Sequence, residues 1–273
     1  MRTSLLLLPL LWAVFASAPV VSKDIERSAL FSMSQGDVLE DAGVFTVMGR
    51  STRTEVFETV RHPDGGWTTT SIITNADQPY RVEGRWRYDA DGRSSAARGI
   101  GAYDGVPVDV AITVDRPSAV ITVDVGAGDL GTVGMGKETR SINATCGATC
   151  FVDLSPSVMA MFALTRQFDP TTTDTRRYQW IGQALHADFS LLEGGGSDVH
   201  VHAVHAYEDT QVLQFVFDES LPGDAPDETV RASFNLYVDS NYRPLAFISS
   251  GGTVGHRAGY EFITSVFPPS FEK

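Results

Sequence analysis

The chain has few of the features that mark nucleic-acid-binding proteins. Its 273 residues include only 21 Lys and Arg against 34 Asp and Glu, which gives a formal net charge of −13 at neutral pH. No run of basic residues offsets this charge, and an anionic surface repels phosphate backbones. The sequence therefore argues against nucleic acid as a partner.

Cysteine is scarce as well, since Cys146 and Cys150 are the two in the sequence. Two thiols without a histidine beside them make a poor zinc site, and the CxxC spacing of redox-active pairs is absent. A disulfide is the expected state in an oxidising compartment, and Gly147 allows the tight turn that so short a loop needs. We therefore predict a Cys146–Cys150 disulfide that staples a local loop.

The apolar run Leu5–Phe15 contains 11 residues, which is too short to span a bilayer because a helix needs about 20. Arg2 precedes this run and the small residues Ala16 and Ala18 follow it, which is the pattern of a secretory signal peptide. We predict a signal peptide over 1–18, an N-terminal segment over 19–39 and a single β-rich domain over 40–273. The protein is then exported, either periplasmic or secreted.

Motifs of common enzymes are missing. The sequence contains neither a G-x-S-x-G nucleophile turn nor an H-E-x-x-H zinc motif. Carboxylate pairs of the kind glycosidases use cannot be selected from sequence, because any of the 34 acids could approach another in space. We therefore assign no catalytic residue and no cofactor.

After residue 40, β-branched and aromatic segments alternate with turn signals, and no βαβ rhythm is present. Between Tyr80 and Tyr88 the apolar and charged side chains alternate, which is typical of an antiparallel strand with one packed face. The glycine-rich stretches at 99–101 and 126–136 are interpreted as turns and a long loop. The pattern predicts a mainly β fold, a curved antiparallel sheet forming a half-barrel or barrel, with one short lid or plug helix. The predicted strands are 43–60, 67–74, 80–88, 106–114, 119–125, 178–192, 199–207, 211–217, 230–238, 244–250 and 260–267.

That helix is predicted in the middle of the chain, with a weaker one over 23–33. Ser155 is a suitable N-cap, Pro156 fits the first helical position, and Asp169-Pro170 ends the segment. Its apolar side chains cover more than one face, so the inner face of the sheet or a bound chain must cover them. These residues are ordinary core in one interpretation and the wall of an adaptable apolar cavity in the other. The side chains predicted to contact a ligand are Trp86, Met159, Met161, Phe162 and Trp180.

Three histidines fall within one predicted strand. His200 and His202 are two residues apart and therefore share a face, as strand-borne metal ligands do. His205 lies on the other face unless a bulge intervenes, and a third ligand would have to come from elsewhere, such as His186. The alternatives are a solvated strand face and hydrogen bonding inside a cavity. A metal-dependent enzyme using His200 and His202 is thus an alternative function, as is a structural envelope protein.

Three segments carry a resemblance to a known family: Tyr80–Arg93, then Cys150–Ser157 leading into the apolar helix, and Phe234–Leu245 before a last strand. In this order they resemble the glycolipid-binding family, whose fold is similar to the lipoprotein-localisation half-barrels. The resemblance covers roughly residues 40–267. It implies an apolar cavity under a helical lid and non-catalytic binding of an apolar or amphiphilic ligand, such as a lipid or glycolipid. Contact with a membrane surface or the envelope, and the oligomeric state, are left open.

Overall fold

The computed structural model describes residues 33–49, 51–75, 80–103, 106–125, 138–153, 157–169, 175–181, 197–207, 211–220 and 232–270. Within them, fifteen strands form one sheet. The strands are β1 (Val38–Met48), β2 (Thr52–Arg61), β3 (Trp67–Asn75), β4 (Tyr80–Tyr88), β5 (Ser94–Tyr103), β6 (Val106–Asp115), β7 (Ser118–Val125), β8 (Glu138–Thr145), β9 (Cys150–Val152), β10 (Thr175–Ile181), β11 (Ser197–Tyr207), β12 (Val212–Ser220), β13 (Ala232–Asp239), β14 (Pro244–Ser249) and β15 (Val254–Arg257). The helices are α1 (Met159–Thr165) and α2 (Ile263–Val266).

The sheet consists of two meanders that meet at β1. Strands β1 to β8 lie side by side in chain order, and β15 back to β10 form the other half. Strand β1 pairs with both β2 and β15, so the first and last strands are neighbours in the middle of the sheet. Neighbouring strands are antiparallel except for β9, which runs parallel to β10. The result is a single curved, unclosed sheet, which confirms the predicted mainly β fold class.

Strand β4 shows how side-chain size shapes the sheet. Trp86 and Tyr88 are buried while Arg81 is exposed, as the alternation predicts. A Cβ at Gly84 would collide with the Trp86 ring, so this glycine makes room for the indole. Gly99 of β5 lies directly opposite Gly84. The interpretation of 99–101 as a turn is therefore wrong, because glycine within a strand can serve a large neighbouring side chain.

Helix α1 lies inside the curve of the sheet as part of one continuous core. All of its seven residues are buried, and the Phe162 ring lies 5.5 Å from that of Phe45 in β1. The predicted start at Ser155 and Pro156 is wrong, because the N-cap position is Val158. Residues 154–156 lie outside the described part. The helix is a plug enclosed by the sheet, which explains why it is apolar all round.

Two predicted strands differ from the structure. The segment 43–60 forms two strands, β1 and β2, because the chain reverses where the Gly49 amide donates to the Ser51 carbonyl, 3.3 Å away. The strand predicted over 260–267 is wrong, since this segment contains helix α2. Ile263 and Phe267, one helical turn apart, are buried against Tyr237 in a second, smaller core. Strands β5, β8, β9 and β15 were not predicted, and 182–192 of the strand over 178–192 lie outside the described part.

The predicted signal peptide, nearly all of the weaker helix over 23–33, and the glycine-rich loop over 126–136 also lie outside the described residues. In the described ranges no helix is long and apolar enough to cross a membrane.

Candidate ligand-binding cavity

The predicted disulfide between Cys146 and Cys150 is present, with the two Cα atoms 5.2 Å apart and both side chains buried. It closes the turn between β8 and β9, where the Cys150 amide donates to the Gly147 carbonyl at 3.3 Å. Strand β9 follows at once and pairs with β10. The disulfide therefore fixes the start of the strand whose Phe151 ring stacks on Trp180 at 5.6 Å.

An inner cavity of about 160 Å³ lies between the start of α1 and the concave side of the sheet. Its apolar wall consists of side chains from α1, β10, β13 and β14. On the other side, polar groups from β2, from the start of α1 and from the β14–β15 hairpin complete the lining. The residues that line the inner cavity are Arg53, Asp153, Ser157, Val158, Met161, Trp180, Phe234, Phe247, Ser249 and Thr253.

A second space, the outer recess, measures about 490 Å³ and adjoins the inner cavity. The two spaces share Arg53 and Thr253. The recess lies at the protein surface, because Gly49, Gly251 and Gly252 on its rim are exposed. A Cβ at Gly252 would meet nothing within 4 Å, and the φ of +81° there favours glycine. The β1–β2 and β14–β15 turns thus form an open mouth above the inner cavity.

The structure divides the five predicted ligand contacts into two groups. Met161 and Trp180 line the inner cavity. Trp86, Met159 and Phe162 are buried in the same continuous core but line neither the cavity nor the recess. The prediction of these side chains as interior is thus supported, whereas ligand contact stays a prediction for all five.

Sequence reasoning missed two charged residues of β2: Arg53, which lines the cavity, and Glu55, which contacts Ser157 and Val158 of the lining. Both precede Phe57 at two-residue spacing on β2, and Phe57 and Glu55 are fully buried. The inward alternation of this strand was the available signal, because it places two charged residues on the face that carries core aromatics.

Glu55 is buried beneath the start of α1. The Ser157 hydroxyl donates to its Oε1, and the Val158 amide donates to its Oε2 at 3.4 Å. Burial raises the pKa of Glu55, and the hydrogen bond from Ser157 and the positive charge of Arg53 oppose this effect only in part. Because the same Ser157 hydroxyl also accepts from the Met159 amide at 3.0 Å, it is fully engaged in fixing the helix. This pair is therefore structural.

Arg53 stands at the junction of the inner cavity and the outer recess. Its Nε atom is buried and has no hydrogen-bond partner in the described part of the chain. Other arginines of this acidic protein are paired: Arg257 with Asp41 at 2.9 Å and Arg98 with Asp109 at 3.0 Å. Arg53 therefore presents to the mouth of the cavity a guanidinium that has no ion-pair partner among the described residues.

The predicted histidine pair lies on the other face of the sheet, since Val199 and Val201 of β11 face the core. His200 is buried, and burial lowers its pKa. The His202 ring pairs with Thr175 Oγ1 at 2.9 Å and lies 3.7 Å from Asp218 Oδ2.

The strand is irregular between Ala203 and His205, as a bulge would require. Across the described ranges no group of three or more His, Cys, Asp or Glu residues is placed to hold a metal ion. His186 lies outside them, so a metal site at His200 and His202 stays a prediction.

No protein-family model matches the sequence, and the search of curated proteins found no match. A solved structure that is similar to the chain is described as a beta-barrel-like protein of domain of unknown function DUF1849 from Brucella abortus. The two share 12% sequence identity at a TM-score of 0.41, over 79% of this chain and 92% of the other. The curved sheet itself defines the class as a barrel-like β protein. The finer resemblance, to glycolipid-binding and lipoprotein-localisation proteins, is a matter of proposal.

Proposed function

We propose that the protein binds one amphiphilic molecule in the half-barrel, with the apolar chain inward and the headgroup outward, and does not transform it. The observation that carries this proposal is the continuity of the inner cavity with the outer recess through Arg53 and Thr253. The apolar wall of the inner cavity and the polar, solvent-exposed recess match the two parts of an amphiphile.

The size of the two spaces supports the same orientation. Pockets for small ligands measure about 300–1,000 Å³, whereas the inner cavity measures about 160 Å³. The inner cavity is smaller than such a pocket, so it can hold the end of one acyl chain but not a whole ligand. The remainder of the ligand then lies in the recess of about 490 Å³, where a polar headgroup stays hydrated.

The chemistry of the wall fits an acyl chain. Met161, Trp180 and Phe247 are buried, and Phe234 is half-buried. Methionine is unbranched and polarisable, so Met161 can adapt to chains of different shape. We accordingly place this protein's function with that of lipid-binding or glycolipid-binding half-barrels, in line with the family it resembles.

Export belongs to the same proposal. The segment 1–18 has the pattern of a signal peptide, and the disulfide suits an oxidising compartment such as the periplasm. N-terminal sequencing of protein recovered from the periplasm or medium should begin near Pro19. A chain that retains Met1 and stays in the cytoplasm would contradict export.

The binding test uses two single-chain probes, dodecanoate and monolauroylglycerol, below their critical micelle concentrations. Calorimetry with delipidated protein should give saturable binding at one site, and tryptophan emission should change because Trp180 lines the cavity. Phe234→Asp should abolish binding of both probes, since it puts a charge in the apolar wall.

The matched control is Phe262→Asp, because Phe262 is 37% exposed and lies in the C-terminal segment, away from the cavity lining. This variant should bind as the parent protein does. Absence of binding by the parent protein, or equal binding by both variants, would overturn the proposed site.

A further inference from the structure

The mouth of the cavity contains a positive charge that forms no ion pair within the described part of the chain. Arg53 lines both the inner cavity and the outer recess, and its side chain is half-buried. Its Nε atom is buried without a hydrogen-bond partner, and no carboxylate of the described residues forms an ion pair with it. A buried donor without a partner is unfavourable, and at the mouth of a cavity a partner can reach it from outside.

Two acids in the neighbourhood of Arg53 do not supply that partner. Glu55, two residues along β2, is fully buried and uses both carboxylate oxygens on Ser157 and Val158. Burial raises the pKa of Glu55, which favours its neutral form. Asp153 lines the inner cavity and forms no ion pair with Arg53. In a chain with a net charge of −13, the guanidinium is thus left for another anion.

We infer that Arg53 binds the carboxylate or phosphate headgroup of a single-chain anionic amphiphile whose chain enters the inner cavity. This inference rests on the proposed function and adds the charge of the ligand to it. A guanidinium offers parallel N–H donors that match the two oxygens of a carboxylate or phosphate. Ser51 and Thr253 border the recess beside Arg53 and present hydroxyl-bearing side chains to the same headgroup.

The position of the cation decides which part of the ligand it meets. Apolar side chains, Met161, Trp180 and Phe247 among them, lie on the inner side of Arg53, and the exposed glycines Gly251 and Gly252 lie on the outer side. An acyl chain in the inner cavity therefore ends where the guanidinium begins. Partial burial of Arg53 strengthens its attraction to an anion relative to a fully hydrated arginine.

The test compares probes of equal chain length and different charge. Dodecanoate and dodecyl phosphate carry an anionic headgroup, and monolauroylglycerol is neutral. Acetate and inorganic phosphate supply the headgroup without the chain. Arg53→Gln should weaken binding of the two anionic amphiphiles about 10- to 100-fold, the range that charge-assisted hydrogen bonds give, and leave monolauroylglycerol unchanged.

Two further variants sharpen the comparison. Arg53→Lys keeps the charge but loses the paired donors, so its affinity for dodecanoate should lie between those of the parent protein and Arg53→Gln. Arg85→Gln is the matched control, because Arg85 precedes the buried Trp86 in β4 and so faces away from the core. This control should bind all probes as the parent protein does.

Each remaining outcome contradicts a different statement. If Arg53→Gln and the parent protein bind dodecanoate with equal affinity, the headgroup assignment is wrong. Binding of monolauroylglycerol in the same experiment would still support the proposed function. An equal loss for charged and neutral probes makes Arg53 a structural residue. Acetate or phosphate binding as tightly as the dodecyl probes identifies a free-anion site and overturns the amphiphile. Failure of all amphiphiles to bind the parent protein removes the proposed function itself.

Discussion

Ser157 follows Glu55 by 102 residues in the sequence and donates a hydrogen bond to its carboxylate in the core. The Val158 amide donates to the other carboxylate oxygen at 3.4 Å. Helix α1 has no side-chain hydrogen bond from its own N-cap position, which Val158 occupies. A carboxylate from strand β2 therefore satisfies a group that local capping residues usually satisfy, and it ties the plug helix to the sheet.

This contact predicts an unusual pH dependence of stability. Burial raises the pKa of Glu55 above its ordinary value of 4.5 in the folded protein. The folded state then holds a proton that the unfolded state releases, so the contribution of Glu55 to stability falls as pH rises above about 4.5. The fall is at most about 1.4 kcal/mol per pH unit, the value for one proton.

Urea unfolding of the parent protein and of Glu55→Gln between pH 4 and pH 8 isolates this effect. Glutamine is neutral at every pH and keeps one acceptor oxygen at this position, so the variant lacks the pH-dependent contribution of Glu55 and should gain stability relative to the parent protein as pH rises. Asp41, whose pKa burial also raises, is common to both proteins and cancels in the difference. A difference that is flat across this pH range would contradict the prediction.

The burial of α1 predicts the outcome of placing a charge on it. Met161 is 4% exposed and contacts the core at the inner cavity. In Met161→Asp the apolar contacts are lost and an unpaired carboxylate is buried. We expect the free-energy cost of these two changes to exceed what a domain with a typical stability of about 5–15 kcal/mol tolerates. We expect no cooperative urea transition by circular dichroism.

Met161→Leu serves as the control for that substitution. It conserves side-chain volume and should lose less than about 1.5 kcal/mol of stability. If Met161→Asp unfolds cooperatively near the midpoint of the parent protein, α1 is a detachable lid and the structure's placement of it as core is wrong.

The sequence predicted the fold better than the cavity, and β4 shows why. Its alternation of apolar and charged residues depends on the two-residue period of a strand, which is a local property. Helix α1 was also predicted from local pattern, although its start was not. The residue that fixes that start is Glu55, which lies 102 residues away from Ser157. No local pattern contains this information.

Arg53 illustrates the same limit at the candidate site. In sequence it is one arginine within the strand predicted over 43–60. Its significance comes from Thr253 and Trp180, which lie far from Arg53 in sequence but line the same cavity in the curved sheet. Such proximity arises from long-range strand order, so the mouth of the cavity could not be derived from composition or spacing.

The disulfide gives a prediction that is independent of ligand binding. Cys146 and Cys150 are both buried, and the closed loop spans a sequence separation of 4. The chain-entropy relation for so short a loop gives a stabilisation of about 2 kcal/mol. Replacing both cysteines by alanine should lower the free energy of unfolding by that amount and leave a folded protein.

Thiol labelling of the denatured, unreduced parent protein should find no free cysteine, and two labelled thiols per chain would contradict the assignment.

The buried ion pair between Asp41 and Arg257 joins β1 and β15, which are the first and last strands along the chain and are neighbours in the middle of the sheet. The guanidinium donates to the two carboxylate oxygens at 2.9 and 3.1 Å, and both side chains are buried. Arg257→Met leaves Asp41 as an unpaired buried acid and should cost about 3–5 kcal/mol. Adding Asp41→Leu to this variant should recover part of the loss, because no charge then remains buried.

The exposed Arg98–Asp109 pair provides the control, and Arg98→Met should change stability by less than about 1 kcal/mol. Equal urea midpoints for Arg257→Met and Arg98→Met would show that the buried pair does not hold the two strands together.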